Sequence, residues 1–438
     1  MRYEKKDVNL PPMKLKKLYF ILLAALSAFF LEACCSDEDS PRLPGSPGTK
    51  MERTLIIYMA AENSLSSYLS EQYYSMPTDS SEIASGMASI PENTRVVLFI
   101  DDNKSSRLCV GTKKEPLQTM KVYDQNLCST DGATMTAVLQ DIVSTYPAYS
   151  YGLVLCSHGT GWLFDDIAPQ NQAPRRHSFG VDNGNHSTSN PNYGRRMSIP
   201  TLASVLGQLP HMDFVMFDAC FMQCIEVAYE LRHVTDYIIA SPAEIPAYGA
   251  PYKELLPIMC SVPTNVQDIV KGYTAYYQTG EGAYSFGGVE LSVIRTDRLE
   301  SLAQNTGPFL KYLLNGRKEI STDGVQRFYE DLNSDYVTCF FDLKNLFYKH
   351  LPSSSYQYWV NFFDEAVPVQ SLTPQWFSEY ESDPWYSSGG SFMEITDMEH
   401  TGGVSVYVPR SQHLYYGWLN DYHLLQWYQD TGMSSTSW

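Results

Sequence analysis

The 438-residue chain is short of positive charge: 31 Lys and Arg stand against 49 Asp and Glu, a formal net charge of −18. So acidic a body argues against nucleic acid as a partner and suits basic substrates. It has no CxxC pair, no Cys/His cluster at zinc spacing and no EF-hand spacing, so no motif marks a metal site. Internal repeats are absent. The longest apolar run, near the start, falls short of the about 20 residues that cross a bilayer. What is present is bulk: 44% of the residues are hydrophobic, enough for a large core.

Residues 13–34, MKLKKLYFILLAALSAFFLEAC, combine a basic start (Lys14, Lys16, Lys17), the apolar stretch Leu18–Leu31 and a small residue, Ala33, before Cys34. That is the pattern of a secretory signal, expected over residues 1–33. Leu31-Glu32-Ala33-Cys34 resembles a bacterial lipobox, with Glu32 as a departure. The resemblance implies that Cys34 becomes a lipidated N-terminus, anchoring an exported lipoprotein to the membrane of the cell envelope. Residues 34–50, rich in Pro, Gly, Ser and acid, read as a flexible tether. Losing residues 1–33 removes six basic and three acidic residues and deepens the net charge to −21. Nine cysteines remain to be placed; Cys109 and Cys128, in turn-rich surroundings, are the pair expected to bridge in an exported protein.

From Met51 onward, short apolar runs recur: TLIIYMAA (54–61), RVVLFID (95–101), YGLVLCSHG (151–159), MDFVMFDAC (212–220), YIIASPAE (237–244) and VELSVI (289–294). Near-continuous runs of this kind are strands buried on both faces. Helix-like segments separate them, at about 63–87, 133–145, 199–208, 221–233 and 264–279. The alternation predicts an α/β fold, a mainly parallel β-sheet flanked by helices on both faces, over residues 51–295. Residues 296–438 read as an additional C-terminal α-rich region, with a late strand, GGVSVYVP (402–409), completing the fold. The loop 164–197 is long for a compact domain, a trait of functional or disordered segments.

Ligands of open parallel sheets bind beyond the carboxyl ends of strands. Two predicted strands end in reactive residues there, His158 and Cys220. A thiol attacks a carbonyl as thiolate, and a helix beginning just after Cys220 would favour that charge. Cys224 would then sit one turn inside the helix, facing the sheet. A lone cysteine or histidine is more often structural, but each at a buried strand end makes a base and nucleophile pair.

YGLVLCSHGTGW, then MDFVMFDACFMQCIEVAYELR, then IASPAEIPAYGAPY resemble the clostripain family of cysteine endopeptidases, which shares a caspase-like fold with gingipains and legumain. GGVSVYVP and the terminal HLYYGWLNDYHLLQWYQDTG extend the likeness over most of 52–433. The resemblance implies Cys220 as nucleophile and His158 as proton donor to the leaving amine. The backbone amides of Gly159 and Cys220 would bind the oxyanion. Asp218 would line the primary specificity (S1) pocket and favour Arg or Lys before the scissile bond, with Glu244 on the pocket wall. Family members cut themselves between His and Cys, and the loop here carries Arg175-Arg176 and Arg195-Arg196, with Arg176 preferred because FGVD (179–182) after it reads as a strand. No cofactor is required; calcium is optional, with Asp165, Asp166 and Asp182 as oxygen donors.

The expected function is therefore an exported, lipid-anchored, monomeric cysteine endopeptidase acting on proteins or peptides after Arg or Lys and activated by autoprocessing. Two other readings stand beside it. One is a catalytically silent surface lipoprotein binding glycan or host protein through its 32 tyrosines. The other is a thiol-dependent amide hydrolase for small molecules, which would not need an acid placed like Asp218.

Overall fold

The computed structural model describes residues 46–69, 78–124, 126–163, 179–184, 187, 189–190, 192–279, 288–317, 319–328, 339–378, 391–411, 413, 417–436 and 438. The expected signal and Cys34 lie outside these, as do Asp165, Asp166, Arg175 and Arg176. Residues 44–438 form one compact unit.

Among the described residues, fifteen strands follow in chain order: β1 (Met51–Ala60), β2 (Thr94–Asp101), β3 (Ser106–Thr112), β4 (Gln118–Val122), β5 (Ala148–Cys156), β6 (Phe179–Asp182), β7 (Arg195–Met197), β8 (Met212–Asp218), β9 (Thr235–Ala240), β10 (Leu291–Arg295), β11 (Phe340–Asp342), β12 (Val369–Ser371), β13 (Gln375–Ser378), β14 (Ser391–Glu394) and β15 (Ser405–Tyr407). Nine of them make the central sheet, in the order β12-β10-β9-β8-β5-β1-β2-β3-β4. Its five middle strands, β9 to β2, run parallel, and antiparallel strands extend both edges.

Alternation along β1 shows why those runs are apolar throughout. Ile56, Tyr58 and Ala60 enter one hydrophobic cluster, while Leu55, Ile57 and Met59 enter the other on the opposite face. Helices Asp79–Gly86, Tyr252–Cys260 and Val266–Thr279 contribute to the second cluster. Helices Gly132–Thr145, Ile199–Leu206 and Ile225–Glu230 contribute to the first, together with Leu299–Leu314 and Ser353–Ala366. Caps fix several starts: Asp131 accepts from the Thr134 amide and Ser198 from the Thr201 amide.

The late strand expected in GGVSVYVP is β15, which pairs with β11 in a separate two-stranded sheet. Three expectations need correction. The helix after the second reactive strand begins at Ile225 rather than just after Cys220, so Cys224 is its N-cap and not a residue one turn inside. No domain boundary falls near 295, because β12 is an edge strand of the same sheet and one cluster runs from Ile56 to Trp438. Cys109 and Cys128 are both free thiols, each turned instead toward a threonine hydroxyl, Thr119 at 3.5 Å and Thr130 at 3.6 Å.

Candidate active site

Strands β5 and β8 are parallel neighbours, with Cys156 opposite Asp218. The segments that leave their carboxyl ends are therefore adjacent in space. Ser157 donates its amide to the Asp218 carbonyl at 3.4 Å. The next residues, His158-Gly159 and Ala219-Cys220, then meet directly. A Cβ built on Gly159 would lie 2.4 Å from the Cys220 carbonyl oxygen and 3.1 Å from the Ala219 Cβ. Only glycine permits so close an approach of backbones.

Phe221, immediately after the thiol, has φ 61°, a left-handed conformation that costs a bulky residue about 1–3 kcal/mol. Two contacts hold it: its amide donates to the Ala243 carbonyl at 3.0 Å, and its ring stacks on Phe340. The backbone thus turns sharply at Cys220 and leaves the thiol half-buried. The Ile245 amide approaches Cys220 Sγ at 3.5 Å.

His158 is partly exposed at the rim. Its Nε2 lies 2.9 Å from Ser64 Oγ, four residues beyond the end of β1. Burial and the nearby Arg196 guanidinium push the imidazole pKa down to about 4, so the ring is neutral at physiological pH. Ser64 escaped sequence reasoning, although it follows the strand beside β5. The order of strands, which would have pointed to it, is not written in any local pattern.

Asp218 is buried on the opposite face of β8 from the first cluster. Its Oδ2 accepts from the Ala250 amide at 3.0 Å and Tyr252 Oη at 2.9 Å, and its Oδ1 from Tyr273 Oη at 3.1 Å. Burial holds its pKa above the ordinary carboxyl value, and these donors offset only part of that rise. Glu244 is buried, in an isolated bridge to Phe377. Cys224 is fully buried, and burial holds its thiol pKa well above the ordinary value, the state of an inert core cysteine.

The Arg195-Arg196 pair is not in an open loop. It starts β7, which pairs with β6. Arg195 forms an ion pair with Asp131, and its carbonyl accepts from Thr130 Oγ1 at 2.8 Å.

Among the described residues, Glu62, Asp101 and Asp182 bring carboxylate oxygens within 4.8 Å of one another. The Asp101 Oδ2 is buried without a hydrogen-bond partner. Three hard oxygen donors fit a cation such as calcium. Of the acids expected from sequence, Asp182 is in this group.

Together these elements place a half-buried thiol and a neutral imidazole on touching loops at the carboxyl end of a parallel sheet. The family model for the clostripain peptidases matches residues 57–438. The chain belongs to the clostripain family. It is a cysteine peptidase, and its sheet with flanking helices is the fold of that family's solved structures. One of these is a secreted cysteine protease of the same family from Bacteroides thetaiotaomicron, in complex with an irreversible peptide inhibitor. It shares 29% identity at a TM-score of 0.69, covering 88% of this chain and all of that one. Another is an inactive zymogen of the family from Parabacteroides distasonis, 28% identical, with a TM-score of 0.70 over 87% of this chain and 99% of that one. No curated protein matches the chain.

Proposed function

We propose that this clostripain-family peptidase is exported, held to the membrane by a lipid on Cys34, and cleaves proteins or peptides after Arg or Lys. The observation that carries the reading is the backbone contact of His158-Gly159 with Ala219-Cys220, two residues beyond the buried Asp218. Cys220 Sγ forms the bond to the substrate carbonyl carbon while its proton passes to neutral His158. The amides of Gly159 and Cys220 bind the oxyanion. Collapse breaks the C–N bond, and His158 returns the proton to the leaving amine. Water then hydrolyses the thioester and restores the thiol. Because the helix at Ile225 starts five residues downstream of Cys220, its dipole contributes little at the sulfur. Deprotonation by His158 takes that part.

Asp218 supplies the negative charge for a P1 guanidinium or ammonium, with Glu244 on the wall. The zymogen relative supports synthesis as an inactive precursor, and the secreted relative supports export; activation is by self-cleavage between His158 and Cys220. Glu62, Asp101 and Asp182 would hold a calcium ion, which would displace the protons on these carboxyls; no step of the reaction passes through it.

The test uses residues 36–438, wild type beside Cys220→Ala, under reducing conditions with and without calcium. Release from an Arg-ended fluorogenic peptide, with wild-type fragments ending at Arg175 or Arg176, supports the reading. An intact wild type that remains inert after an added protease cuts the loop would overturn it.

A further inference from the structure

The segment that leaves β1 is built around Asn63, which is only 2% exposed. Its Nδ2 donates to the carbonyls of Ala60 and Val181, each at 2.8 Å, and reaches Ser157 Oγ at 3.3 Å. Its Oδ1 accepts from the Leu65 amide at 2.9 Å, closing a tight turn over Ser64. Ser157 in turn donates its hydroxyl to the Ala60 carbonyl at 2.6 Å and accepts from the Val181 amide at 3.3 Å. One buried amide side chain therefore joins the ends of β1 and β5 to β6, at the point where β5 releases His158.

This arrangement sets where the next two side chains meet. The His158 carbonyl accepts from the Gly180 amide at 2.9 Å, so its backbone is fixed from the β6 side. Ser64 is exposed in the turn, and its Oγ comes to 2.9 Å from His158 Nε2. A serine hydroxyl donates one hydrogen and accepts on two lone pairs. Being exposed, Ser64 can give its own hydrogen to water and keep a lone pair for the ring.

An imidazole has two nitrogens, and Nε2 is engaged by Ser64. That leaves Nδ1 to exchange a proton with Cys220, and Nδ1 accepts one only if the neutral ring carries its hydrogen on Nε2. An oxygen facing Nε2 accepts that hydrogen before and after the thiol proton arrives, so neither group has to rotate during the reaction.

We propose that Ser64 is a positioning residue of the active site: its Oγ accepts from His158 Nε2–H and keeps Nδ1 for the thiol, while Asn63 holds the turn that presents it. The inference rests on the proposed role of His158 as base and acid. In the first step the S–H bond of Cys220 breaks, its proton moves to Nδ1, and the sulfur electron pair forms the bond to the carbonyl carbon. Nε2 keeps its hydrogen throughout, and its bond to Ser64 strengthens as the ring becomes positive. When Nδ1 passes its proton to the leaving amine, the ring is neutral again in the same tautomer. Ser64 takes no proton and forms no bond to substrate; it acts through the ring.

The test measures kcat and KM separately on an Arg-ended fluorogenic peptide for wild type, Ser64→Ala, Ser64→Thr and His158→Ala at one calcium concentration. Each is cut in the loop by an added protease that is then removed, and rates are normalised to the fraction cut, read by intact mass. Ser64→Ala is expected to lose about tenfold or more in kcat with KM within about twofold, and Ser64→Thr, which keeps the hydroxyl, to stay within about threefold of wild type. A Ser64→Ala enzyme as fast as wild type overturns the inference, as does a Ser64→Thr enzyme impaired as much as Ser64→Ala. The tautomer is read separately by nitrogen NMR of Cys220→Ala carrying isotope-labelled histidine, with His158→Ala in the same background assigning the signal. The hydrogen is expected on Nε2. A ring protonated on Nδ1 contradicts the proposal, and this readout decides even should Ser64→Ala not fold. If His158→Ala turns over as fast as wild type, the reading of His158 itself fails. If it is inactive while Ser64→Ala is unimpaired, only Ser64 is lost.

Discussion

His158 works from an unusual starting state for a partner of a nucleophilic thiol. Burial first, and Arg196 second, hold its pKa down to about 4, so it meets Cys220 as a base rather than as a preformed imidazolium. Activity should therefore persist to low pH and fall only as the ring is protonated. Replacing Arg196 with Met removes the smaller of the two causes. The pKa should rise toward 6.5 without reaching it, moving the acidic limb of kcat/KM to higher pH. A pH–rate profile of the matured Arg196→Met variant checks this, and an unmoved limb would assign that limb to another group. His158→Ala should lose about 10²–10⁴-fold in kcat/KM, the range for a general acid–base group, and Cys220→Ala should retain no turnover. Both should melt within a few degrees of wild type. These two residues were legible because each ends an apolar run and each has a chemistry that its neighbours do not explain. Ser64 and the tyrosines around Asp218 were not. They reach the site from segments that only the strand order and the helix packing bring there.

At the level of elements, the site is a consequence of register. Cys156 opposite Asp218 places the two loops side by side, and Gly159 lets them touch. Gly159→Ala puts a methyl group 2.4 Å from a backbone carbonyl that cannot swing aside, so the loops must part. The expected result is a loss of at least about 100-fold in kcat/KM, with stability reduced by about 1–3 kcal/mol. Peptide kinetics beside urea unfolding separates the two effects; an active variant would mean the contact is not needed for catalysis. The β6–β7 pair carries a second consequence. Arg195 is tied to Asp131 and Thr130 within a strand, whereas a protease needs its substrate extended and free. Self-cleavage should therefore map to Arg175 or Arg176, and intact mass of the matured enzyme should show no new terminus at 196 or 197. Strand positions were readable from continuous apolar runs, and FGVD was recognisable as a strand. The start of the helix after Cys220 was misjudged, because FMQC has helical composition but its backbone is drawn off by Ala243, Ser241 and Ser405. Those partners lie further along the chain and leave no local trace.

The whole molecule buries an unusual number of acids, and this sets how it should respond to pH. Burial pushes Glu62 and Glu226 up to about 8, and Glu82, Asp101 and Asp342 up to about 7. In the unfolded chain, Asp and Glu ionise near about 4. Between those values the folded protein holds protons that the unfolded chain has released. The stability these groups contribute is complete below about 4 and is lost as pH rises through about 7 to 8. His158 and His413 act in the opposite sense: both are held neutral with pKa about 4, so each adds stability as pH rises from there to about 6.5. Two histidines against five carboxyls leave the balance on the acidic side, and the net charge of −18 adds repulsion as the last acids ionise. Thermal unfolding of Cys220→Ala, which cannot digest itself, should give a Tm several degrees higher at about pH 5.5 than at about pH 8.5. Adding calcium should reduce the difference, because a cation among Glu62, Asp101 and Asp182 replaces the protons held there. A Tm that is flat or rises across this range would mean the buried carboxyls are ionised in the fold and compensated by water or ions.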